Sequence, residues 1–253
     1  TPPLPPGLDW NLWLGPARER PYHPAYHPAK WRAWWDFGTG SLGDMACHIV
    51  DPLFWALKLR YPVSVEANIS KYWHAFFEMT EPKQEMFPRS TIVRYRFPAR
   101  EEMPPVTLTW WDGGLMPARP AGLETGRRMG DLDGGILLIG DEGAILAGCY
   151  GESPRIVPES RMKRYRRPGR TLERIPLGPD GHEQDWVRAV KGGKPASSNF
   201  EYSGPLSETV LMGNLAIRFP DRELLWNGEA MEVTNDPDAN AYVRREYRDG
   251  WHL

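Results

Sequence analysis

The apolar residues of this chain change their spacing at Pro62, and that change constrains the fold more than any other feature. Before it, residues 42–59 read as a helix that is apolar all round and therefore expected to be buried. After it, Val63, Val65 and Ile69 fall at even spacings, as a half-buried strand requires. Thr91–Phe97 alternates Val93, Tyr95 and Phe97 against Ile92, Arg94 and Arg96, and Val106–Trp111 reads as a further strand. Residues 135–140 and 144–148 flank Asp141-Glu142-Gly143, a hairpin signal, and Ile156-Val157 adds a short strand. Two helical patterns follow. Residues 182–191 place Trp186 and Val190 inward and stop at Gly192-Gly193; residues 206–219 bring Leu206, Val210, Leu211 and Leu215 near helical spacing. Residues 221–226 and 229–233 read as short strands or turns, and 240–251 as a polar, aromatic tail. The order of helix, run of strands, then helices predicts an α+β fold: a large, mostly antiparallel β-sheet with helices packed on one face. The other face must meet a partner or water. Strands as apolar as Val106–Trp111 favour a partner, which leaves that face available for oligomerisation.

The amino-terminal 37 residues differ from the rest. They open on TPPLPPG, whose proline density favours an extended, linker-like start, and a linker there implies a preceding segment. Trp10, Trp13, Trp31, Trp34 and Trp35 then alternate with Pro16, Pro21, Pro24 and Pro28, with a short helical turn expected at 9–14. The reading is a proline- and aromatic-rich lead-in over residues 1–37 and a single α+β domain over 38–253. Tyr22-His23 and Tyr26-His27 form a Tyr-His-Pro repeat, read as a structured loop. Residues 159–170 carry six cationic side chains and read as a solvated basic loop. With a net charge of -2 the chain offers no global field for nucleic acid or membrane, and neither is expected as a partner. No apolar run is long enough to span a bilayer. Cys47 and Cys149 have no metal-ligand spacing. No signal peptide is recognisable and the chain does not begin with Met, so a cytoplasmic and an exported location both stay open. Twelve tryptophans fit either a packed core or an aromatic surface for sugars.

The chemistry-bearing stretch is residues 38–51, GTGSLGDMACHIVD. A glycine-rich turn runs into a helical pattern that puts Asp44 and His48 four residues apart on one face. A carboxylate beside an imidazole suits proton transfer to a bound hydroxyl, because imidazole exchanges protons near neutral pH. Asp44 in a first helical turn would also favour the macrodipole. Asp51 reads as a cap, or marks a kink, before Pro52. Trp35, Asp36, Thr39 and Gly40 immediately precede or open the helix and become candidate substrate-binding residues. A metal reading of Asp44, His48 and Asp51 is poor, since three ligands on one helix converge badly.

The pattern Gly38-x-Gly40-x-x-x-Asp44-x-x-x-His48-x-x-Asp51 resembles the signature of the Gfo/Idh/MocA oxidoreductases. Thr39 replaces the middle glycine of that signature, Gly43 takes a usually apolar position, and Ala46 fills a small position. Gly134-Gly135-Ile136 with Gly143-Ala144-Ile145 resembles the family's sheet. His182-Glu183-Gln184-Asp185-Trp186 followed by Phe200-Glu201-Tyr202-Ser203-Gly204 fits its bacterial subgroup with a distinctive carboxy-terminal domain. The resemblance implies the substrate and dimerisation domain of an NAD(P)-dependent enzyme acting on a polyol, sugar or sugar derivative. It assigns His48 as acid/base and Asp44 to the substrate hydroxyls. In the family, NAD or NADP sits on an amino-terminal Rossmann domain that also supplies a catalytic Glu-Lys-Pro motif. The one G-x-G-x-x-G spacing in the chain, Gly38-x-Gly40-x-x-Gly43, follows an irregular segment rather than a strand, and the Glu-Lys-Pro motif does not occur here. A separate Rossmann domain is therefore an expected partner. No cofactor-binding or metal-binding residue is assigned, and this chain alone is expected to bind no cofactor and to be inactive. Two other classes stay open: a carbohydrate-binding or assembly module without redox chemistry, and a lyase or epimerase that retains NAD.

Overall fold

The computed structural model describes residues 2–76, 78–80, 85–175 and 180–252. In chain order the elements are α1 (Trp10–Leu14), α2 (Gly40–Ile49), α3 (Asp51–Ala56), β1 (Ser64–Ile69), β2 (Tyr72–Ala75), β3 (Glu78–Thr80), β4 (Thr91–Phe97), β5 (Val106–Trp111), β6 (Ile136–Gly140), β7 (Gly143–Ala147), β8 (Arg155–Val157), α4 (Glu159–Arg164), α5 (Gly181–Val190), α6 (Phe200–Arg218), β9 (Glu223–Asn227), β10 (Glu232–Val233) and α7 (Pro237–Asn240). The fold class is α+β. Packing groups the residues into two units: Thr1–Pro117 with Thr209–Leu253, and Ala118–Glu208.

The first unit is built on an antiparallel sheet of order β10-β9-β1-β4-β5. Register puts Leu224, Val65, Tyr95 and Leu108 in one row across it, and Ala67, Val93 and Trp110 in a second. All seven are buried. The carboxy-terminal part of α6 covers this face: the Tyr95 hydroxyl donates to the Val210 carbonyl at 3.4 Å. Gly213 lies directly against that hydroxyl and against Leu42 of α2, so α2, α6 and β4 meet at one point. The opposite face carries Glu66, Arg94 and Thr109 in register, and beside them Ser64, Arg96 and Thr107. Arg96 pairs there with Glu223 and Glu66, and Arg94 donates to Asn68 at 2.7 Å. Leu108 and Trp110 of β5 thus point at the helices, and the open face mixes these polar residues with Ile92, Trp111 and Leu225.

The amino-terminal segment is more than a linker. Leu14 and Ala17 are buried, and the rings of Trp10, Trp13, Tyr22, Tyr26, Trp34 and Phe37 stack or meet edge-on. The carboxy-terminal tail holds it in place. Arg248 donates from Nε to the Gly15 carbonyl at 2.7 Å and from one terminal nitrogen to the Asn11 carbonyl at 2.9 Å and the Asn11 side chain at 2.7 Å. The Gly15 carbonyl closes α1, and the Asn11 carbonyl also accepts from the Gly15 amide at 3.2 Å, so Arg248 grips the end of that helix. Arg248→Ala is expected to lower stability by about 1–3 kcal/mol, read as a lower urea midpoint at unchanged slope. An unchanged midpoint would show that the clamp is ornamental.

The second unit pairs β6 with β7 and β7 with β8, all antiparallel. Ala144, Leu146 and Val157 form its core with Leu123, Met129 and Leu137. Two expectations change here. The beginning of the basic stretch is helical, as α4. Trp186 and Val190 point outward, with 62% and 68% of their surface exposed. The inward face of α5 is the one with Gly181 and Asp185. Asp185 accepts from the Ser197 amide at 2.8 Å and from its hydroxyl at 3.2 Å, and pairs with Arg188. The Ser197 amide, and then Arg188, hold the Asp185 carboxyl below the usual carboxylate range. A saturated carboxylate anchors this helix where periodicity alone predicts Trp186.

Candidate functional site

The site grows from the turn that precedes α2. Phe37 and Gly38 both donate to the Trp34 carbonyl, at 3.0 and 2.8 Å, which reverses the chain. Gly40 then starts α2 with φ +65°, and a Cβ there would stand 2.7 Å from the Phe87 ring. Both facts exclude a side chain at this position. The Thr39 carbonyl accepts from the Gly43 amide at 3.1 Å and from Asn214 Nδ2 at 3.1 Å, so α6 pins the start of α2. The Thr39 side chain occupies the space that a Cβ on Gly43 would need. The two departures from the family signature, Thr39 and Gly43, therefore compensate each other.

On α2, Leu42, Ala46 and the following Val50 are buried. Asp44 and His48 lie two residues beyond the first two of these, on the opposite side of the helix, and both are exposed. Asp44 stands in the second turn, since α2 starts at Gly40 and has no acidic residue in its first turn. Its Oδ1 accepts from Arg32 Nε at 3.3 Å. Arg32 is itself held by the Ala29 carbonyl at 3.2 Å and by the Trp31 ring at 4.6 Å. At about half exposure this ion pair contributes little stability; it orients the carboxylate. Arg32 escapes sequence reasoning because it lies in a segment with no period. Cys47, between the two candidates, is partly buried; burial, and then the Asp51 charge, push its thiol up.

The remaining candidates have partners of their own. The Trp35 indole donates to the Met86 carbonyl at 3.2 Å, lies 3.6 Å from the Phe87 ring and carries the Arg218 guanidinium at 4.3 Å. Asp36 pairs with Arg20, whose guanidinium also lies over Tyr26 and Phe37. Thr39 and Gly40 shape the helix start. Asp51 is the first residue of α3, with Pro52 in its first turn, and Val50, itself helical, occupies the cap position and joins the two helices, so residues 42–59 hold two helical segments. Asp44 and His48 thus share the exposed side of α2, while Trp35 and Asp36 are half-buried and engaged by Phe87, Arg218 and Arg20.

The glycine-started helix α2 with its exposed Asp44 and His48 belongs to an antiparallel α+β unit. Residues 1–75 match the family described as "Oxidoreductase family, C-terminal alpha/beta domain", the carboxy-terminal domain of the Gfo/Idh/MocA oxidoreductases. The matched stretch contains the glycine turn, Asp44 and His48. A search of curated proteins found no match. Every strand pair among the described residues is antiparallel. None of these pairs belongs to a parallel βαβ unit of the kind on which a dinucleotide sits.

Proposed function

We propose that this chain is the substrate-side domain of an NAD(P)-dependent oxidoreductase acting on a polyol, sugar or sugar derivative. The observation that carries the reading is the exposure of Asp44 and His48 on one side of α2, inside the stretch that matches the family's carboxy-terminal domain. His48 takes the proton of the hydroxyl being oxidised. Asp44, oriented by Arg32, accepts a hydrogen bond from that hydroxyl or its neighbour. A nicotinamide held by a separate Rossmann domain would supply the hydride chemistry. The test is nicotinamide reduction by the full-length protein across polyols, free sugars and acidic sugars. Reduction with at least one of them supports the reading. Redox-neutral conversion with NAD retained would place the protein among lyases or epimerases instead, and sugar binding without turnover would make it a binding module.

We further propose that a second copy docks on the open face of the sheet. That face is self-complementary in charge, with Arg94 and Arg96 beside Glu66 and Glu223, and Leu225 and Trp111 lie on it. Light scattering is expected to give a dimer for the wild type and a monomer for Arg94→Glu with Arg96→Glu. A monomeric wild type defeats this arrangement.

A further inference from the structure

We propose that the second unit carries a binding cleft for a phosphate-bearing small molecule, between the turn before β8 and the basic segment after α4. A cavity of about 540 Å³ is lined by Ser153, Pro154, Arg155, Glu159, Met162 and Arg167. That size lies in the usual range for small-molecule sites, roughly 300–1,000 Å³. The one acid in its wall is already answered: Glu159 pairs with Arg155, and Arg127 lies 3.6 Å from the same oxygen. Arg167 enters no ion pair or hydrogen bond among the described residues, so its positive charge stands uncompensated at the cavity.

The backbone supports the same place. Ser153 has φ +49°, a left-handed conformation uncommon for any residue but glycine. The turn that holds it is fixed by Glu152, whose side chain accepts from the Tyr150 amide at 2.8 Å and whose carbonyl accepts from the Gly148 amide at 3.0 Å. The Ser153 hydroxyl has no hydrogen bond among the described residues, which leaves a second polar group at the rim of the cleft. Beyond it, Lys163, Arg164, Arg166 and Arg170 are exposed, and 161–170 contains no acid.

The ligand chemistry follows from the charges. A guanidinium fork matches the paired oxygens of a phosphate, and the surplus of cations around the cleft favours a dianion over a carboxylate. Pro154 and Met162 give the wall an apolar part against which a small organic body can lie. A single-stranded polynucleotide would need successive aromatic platforms, and Tyr165 is the one aromatic residue in 161–170.

Calorimetry on this chain with inorganic phosphate and with glucose 6-phosphate, at matched ionic strength, tests the cleft. Saturable binding of glucose 6-phosphate, tighter than that of phosphate, is expected. Arg167→Ala should weaken it by about tenfold, and Arg170→Ala, outside the cavity, by less than about twofold. Both side chains are exposed, so circular dichroism should be unchanged in each variant. The proposal is overturned if neither probe binds saturably in the millimolar range. It is also overturned if the two variants weaken binding equally, or if a short single-stranded RNA binds more tightly than the monophosphate.

Discussion

His48→Ala in the full-length protein is expected to lower turnover of the hydroxyl substrate by about 10²–10⁴-fold, the usual contribution of a positioned acid/base. His48 is exposed and faces away from the buried residues Leu42 and Ala46, so the thermal midpoint should move by no more than a surface substitution moves it, within about 0.5 kcal/mol. Circular dichroism separates an acid/base from a structural residue: the fold should persist in His48→Ala while turnover falls. Asp44→Asn keeps an acceptor but loses the charge that Arg32 holds at 3.3 Å, so it should raise KM more than it lowers kcat. Full activity in His48→Ala would remove the acid/base from the proposed chemistry. A cooperative loss of folding in that variant would show that the histidine belongs to the scaffold.

Gly43→Ala is expected to cost about 2 kcal/mol, because the new methyl group must displace the Thr39 side chain from the space it fills. The same substitution in a Thr39→Gly background should cost much less, since the obstacle is then gone. The two changes together restore the glycine-then-apolar order of the family signature. A double-mutant cycle by urea denaturation should give a coupling of about 1–2 kcal/mol in the rescuing direction. Strictly additive costs would mean that Thr39 relaxes freely, and that the two departures are unrelated.

The strands were the most legible part of the chain, for a physical reason. Thr91–Phe97 and Val106–Trp111 have one face against helices and one against water, so burial imprints a period of two on the residues themselves. Helix α5 was legible in extent but not in orientation. Its inward face is set by Asp185, Ser197 and Arg188, and a buried carboxylate leaves no mark in a count of apolar residues. The same limit applies at the candidate site. The spacing of Asp44 and His48 was readable because a helix fixes it. The engagement of Trp35 by Phe87 and Arg218, the pairing of Asp36 with Arg20, and the contribution of Arg32 all join segments distant in sequence. Periodicity has no access to such contacts. The lead-in illustrates the point again: its prolines suggest a tether, yet its rings find one another and the tail secures them.

The sheet of the first unit draws its strands from both ends of the chain, and this has a consequence for biosynthesis. β1 is flanked by β4 on one side and by β9 on the other. On the ribosome, β4 and β5 emerge soon after β1, but β9 follows only once 118–208 has been translated. Until then one edge of a central strand is unpaired and open to other nascent chains. Slow elongation through α6 would prolong that exposure, whereas the contiguous residues 118–208 can collapse as they appear.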